Sequence, residues 1–148
     1  MSARYALTAL VLGLVGFAAI EVAGTVVGVR TALGPSLVVD AAAYALATLL
    51  LATLLRAPLA RAGGLRALVP TTVFVLLFAP LTALLAGAAD LTLLGGWGVE
   101  SLMRGAFIAT PVNLVITFTL ELWFVALPLA VLSQWLLWRS ARAARHGW

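Results

Sequence analysis

Two glutamates stand alone inside apolar segments, and both are of a residue type that carries protons or binds cations. Glu121 is the only charge in residues 105–138, and Glu21 is the only charge in residues 5–29. An acid at the centre of a membrane helix costs roughly 2.5–3.5 kcal/mol on insertion scales, so it is kept for a partner, a water-filled cavity or a function. Around Glu121, a period of about 3.6 residues puts Thr110, Thr117 and Pro128 on one strip with Asn113 at its edge. Pro128 has no N–H for the carbonyl of Phe124, one turn from Glu121, so carboxylate, hydroxyl and opened backbone are expected to face the bundle interior. Gly24 and Thr25 follow Glu21 at helical spacing and are expected on its packing side. The chemistry these residues suit is reversible binding of a proton or cation by Glu121 and Glu21, assisted by Thr117, Thr25 and Asn113. They also suit packed helices in which each glutamate is neutral and bonded to Thr25 or Thr117.

Other chemistries lack their residues. The chain has no cysteine and a single histidine, His146, so thiolate metal sites, disulfides and a bis-imidazole haem are excluded. Ser101, Ser133 and Ser140 have no nearby histidine base, and no glycine-rich phosphate loop or metal-ligand cluster is present. We expect no enzyme, no cofactor and no metal. The sequence pI of 11.2 could suggest nucleic acid, but arginines flanking membrane helices already explain it.

The elements that must hold these acids are membrane helices. The 148 residues are 64% hydrophobic and 9% charged, with mean hydropathy +1.17, whereas soluble domains carry about 25% charged residues. Charges fall between apolar runs long enough for the ~20 residues that cross a bilayer. The expected fold is all-α, a single four-helix membrane bundle with helices at about 5–29, 36–55, 68–89 and 111–138 and an interfacial loop at 90–110. The first run is about twice the length of a signal-peptide core, so a retained helix is expected. Seven arginines against two fall on one side of this arrangement, predicting cytoplasmic N and C termini, and all five acids then lie on or toward the other side. Pro80 and Pro128 are expected to open or kink their helices. Gly24 and Gly28, four apart, are expected to admit a neighbouring helix.

Two stretches resemble known families. Ile20, Glu21, Val22, Ala23, Gly24 and Thr25 look like the first-helix segment of the small multidrug resistance transporters, and that resemblance implies a proton- or drug-binding role for Glu21 alone. Residues 57–61, and Asn113 through Glu121 and Leu122 to Pro128, resemble the two-helix units of a bacterial membrane family of unknown function. That resemblance implies a tandem duplication of a helical hairpin and transfers no activity. The expectation is a small multi-pass protein of the bacterial cytoplasmic (inner) membrane, surrounded by lipid and working as a homo-oligomer or within a larger complex. It would move a proton, cation or cationic amphiphile. A non-catalytic accessory or assembly subunit, docking through Gly24, Gly28 and the outer loop, is the alternative.

Overall fold

The computed structural model describes residues 3–28, 37–62, 64–94 and 121–143, and all the regular structure among them is helical. The four long helices are α1 (Ala3–Val27), α2 (Leu37–Arg61), α3 (Leu68–Leu94) and α4 (Trp123–Ala143), with a 3-10 turn at Gly64–Ala67 leading into α3. Each is long and apolar enough to cross a membrane. At a rise of about 1.5 Å per residue they reach roughly 31–40 Å, enough for a hydrocarbon core of about 30 Å. The four span-capable helices among the described residues make this a multi-pass membrane protein.

Helix α2 is the central and most enclosed element, packing on α1, α3 and α4, while α1 also packs on α4. The residues that α1 buries are Tyr5, Ala9, Gly13, Ile20 and Gly24, a stripe of near-heptad spacing. Gly13 is the close-approach point. A Cβ there would lie 2.7 Å from the Ala45 Cα, 2.8 Å from the Tyr44 carbonyl oxygen and 2.9 Å from the Thr48 hydroxyl oxygen. A small residue at the contact lets two backbones meet where no hydrophobic force separates helix from lipid. Gly24 is buried as expected, whereas Gly28 packs on no helix within the single chain. It is exposed, has φ of 78°, and would present a Cβ to open space; it ends α1 in the left-handed conformation that glycine adopts freely.

At the arginine-rich end, α2 and α4 both extend further than the apolar runs suggest. Helix α2 continues through Pro58 to Arg61 because Leu59 and Ala60 still have core to bury. Helix α4 continues past Trp138 to Ala143, with Leu137 and Ala141 packed into the same cluster as Tyr5, Ala9, Leu51, Ala52, Leu59 and Phe74. Helix α3 runs through Pro80 to Leu94, so residues 90–94 of the expected loop are helical. The rest of that loop, the expected start of the fourth helix near Pro111, and Thr110, Asn113 and Thr117 lie outside the described residues.

The arginine-rich end is fastened by polar contacts. Tyr5 donates its hydroxyl to the Ala52 carbonyl at 2.7 Å. The Ala62 carbonyl accepts from the Trp138 indole at 3.3 Å and from Arg142 at 3.1 Å. The Arg56 guanidinium lies 5.4 Å from the centre of the Tyr5 ring, and that of Arg142 lies 4.2 Å from the Trp138 ring. Such cation–π pairs each contribute about 0.5–1 kcal/mol at exposed sites.

Candidate functional site

The antiparallel register that brings Tyr5 to Ala52, Gly13 to Ala45 and Phe17 to Tyr44 continues toward Glu21 and Asp40. Both carboxylates come within electrostatic range of the Tyr44 phenol. Asp40 is 1% exposed and Tyr44 is 2% exposed, whereas Glu21 is half-buried. Tyr44 meets the Phe17 ring edge-on at a centroid distance of 5.3 Å and the Phe78 ring at 5.5 Å, and Phe78 stacks on Phe74 at 6.0 Å. Side chains from α1, α2 and α3 therefore build one group of two carboxylates, a phenol and aromatic walls.

The helices explain this placement. Asp40 falls in the first turn of α2, where the helix dipole favours a negative charge, and its side faces inward. Tyr44 follows one turn later on the same face, and Thr48 one turn after that, all three being buried. Neither Asp40 nor Tyr44 is among the candidate residues read from the sequence, because the helix dipole alone accounts for an acid in that turn. The signal was the spacing of Asp40, Tyr44 and Thr48 by four, which marks a polar stripe on an otherwise apolar helix.

The expected partners of Glu21 are arranged differently. Thr25 is exposed, and its hydroxyl donates to the Glu21 backbone carbonyl at 2.8 Å rather than pointing to the packing side. With Ile20 and Gly24 occupying the buried stripe, Thr25 is rotated about 100° from it, the angle of one residue on a helix.

Glu121 stands apart from this group. It is exposed, in a π-type turn that precedes α4, while the adjacent Leu122 is completely buried. The Leu122 carbonyl accepts the Val125 and Ala126 N–H groups at 3.0 and 2.8 Å, which starts the helix. Pro128 is also exposed, on an apolar groove with Leu127, Val131, Leu132 and Trp135. The strip expected to face the bundle interior thus faces out of the single chain at both Glu121 and Pro128. Glu121 is 17 residues from Trp138, a rise of about 26 Å along a helix. By the same count Glu21 and Asp40 are each 16 residues, about 24 Å, from Tyr5 and Arg56. The three acids share a level.

No group of three or more histidine, cysteine, aspartate or glutamate side chains is placed to hold a metal among the described residues. Two carboxylates and an aromatic surround can take up a proton or embrace an organic cation without a metal. The chain matches no family model, no curated protein and no solved structure.

Proposed function

We propose that the protein is a small membrane transporter for a proton or cation, with Asp40 and Glu21 as the binding carboxylates and Tyr44 as the group between them. The observation that supports this is the burial of Asp40 at 1% exposure one turn from Tyr44 and within electrostatic range of the same phenol as Glu21, among described residues that include four span-capable helices. An acid enclosed in a membrane bundle is held in a cavity-facing or partnered position, and such residues mark proton and ion pathways. The half-buried Glu21 connects that enclosed acid to the surface of the bundle. The aromatic walls add attraction for a cation. In this reading the arginine-rich end is cytoplasmic and the acids collect cations from the opposite side of a bacterial inner membrane. A homo-oligomer would cover the exposed apolar face of α4.

The test is flux into proteoliposomes under a pH gradient, with proton entry and uptake of a fluorescent organic cation followed separately. Asp40→Asn is expected to lower the transported flux about a hundredfold, the scale of losing a positioned proton carrier. Wild-type levels of both fluxes in Asp40→Asn and Glu21→Gln would refute the reading.

A further inference from the structure

The stripe that begins at Asp40 does not stop at Tyr44. On α2, positions 40, 44, 48, 52 and 56 form a row of neighbours one turn apart that winds about 40° around the helix at each step, and they read Asp40, Tyr44, Thr48, Ala52 and Arg56. The first four are between 1% and 3% exposed. At Ala52 the polar group comes from α1, since the Tyr5 hydroxyl is bonded to the Ala52 carbonyl. Below it, Arg56 lies over the Tyr5 ring. Polar groups therefore succeed one another at every turn, from the acid end to the arginine end, along the most enclosed helix.

A second observation comes from α4. Gln134 is 5% exposed, and its amide nitrogen has no hydrogen-bond acceptor among the described residues. Helices α2 and α4 run in the same direction, with Arg142 joined to Ala62, so Gln134 stands near the level of Ala52 and Tyr5. A buried donor of this kind is suited to an ordered water.

We infer that protons cross the bundle along the buried face of α2, passing from Asp40 and Glu21 through the Tyr44, Thr48 and Tyr5 hydroxyls, with water held by Gln134 completing the route to the Arg56 level. The inference presupposes the transport reading above and narrows its cargo to the proton. Positions one turn apart on α2 rise by about 6 Å, so the relay requires a bridging water between successive groups. Each hydroxyl accepts one proton and releases one, so a single proton is moved and no group is left altered. Thr48 now donates to the Tyr44 carbonyl at 2.8 Å and must rotate away from it to relay. A larger cation has no such route, because the stripe lies against the α1 backbone at Gly13.

The experiment uses full-length protein in liposomes containing pyranine, with valinomycin and potassium to balance charge, and a parallel assay of tetraphenylphosphonium uptake. Tyr44→Phe, Thr48→Val and Gln134→Leu are each expected to slow proton entry at least about tenfold. Thr48→Ser should restore it, and Thr53→Val, which removes an exposed hydroxyl from α2, should leave it unchanged. Size-exclusion profiles and helical circular dichroism identify any variant that misfolds, and Thr48→Ser against Thr48→Val compares two folded proteins. Proton entry that disappears in Asp40→Asn but persists in all three path variants overturns the path and leaves the transport reading standing. Uptake of tetraphenylphosphonium without proton movement also overturns the path alone. Neither flux in wild type overturns both.

Discussion

Helices α2 and α4 are built alike, each starting near an acid, containing a proline and ending in arginines, yet they use the acid in opposite ways. Asp40 is turned into the bundle beside Tyr44, while Glu121 is exposed and its neighbour Leu122 takes the inward position. The face an acid occupies, set by a residue or two of helical phase, decides whether it can form a site. Position within an apolar run does not.

The sharpest way to break this contrast is to neutralise both acids in turn. Asp40→Asn is expected to reduce proton or cation flux about a hundredfold, and Glu121→Gln to stay within about twofold of wild type, in the same liposome assay. The reverse ranking would move the site to α4. The same inward–outward difference should be visible in stability. Leu122→Ala, at a completely buried side chain, is expected to cost about 2–5 kcal/mol in a reversible denaturation titration in mixed micelles, whereas Leu127→Ala on the exposed face should change it by less than about 0.5 kcal/mol.

Glycines of α1 sharpen the comparison further, because they report how closely α2 is held. Gly13→Ala drives a methyl against the α2 backbone and is expected to destabilise by about 1–3 kcal/mol, with loss of flux as the Tyr44 region shifts. Gly16→Ala meets nothing within 4 Å and is expected to be neutral or to stabilise by up to about 1 kcal/mol through helix propensity. Tyr5→Phe, which removes the bond to the Ala52 carbonyl, should cost about 1 kcal/mol in the same titration.

The four spans were legible because an apolar run of about 20 residues has few structural alternatives in a membrane. The pairing of Glu21 with a site was partly legible, since a carboxylate in such a run is conspicuous. Asp40 does not stand out in the sequence because the helix dipole gives it a sufficient explanation, and the packing of α1 is what shows that its side is the buried one. At Glu121 the helical period was legible and the facing was not, since Glu121 and Pro128 share one side and that side is exposed in the single chain. Gly13 was passed over in favour of Gly24 and Gly28, although Ala9 four residues before it completes a small-residue spacing of the same kind.

The Ala62 carbonyl, shared by Trp138 and Arg142, has a mechanical consequence. It clasps the α2–α3 connection to α4, while Tyr5 clasps α1 to α2 at the same end. Held there, the helices act as levers with their free ends at the acids. A tilt of about 5° about the clasp displaces a side chain 24 Å away by roughly 2 Å, close to the width of a water molecule's passage and on the scale of known hinge motions. The bundle would then open as forceps do, at the tips, and the arginine end would serve as the rivet.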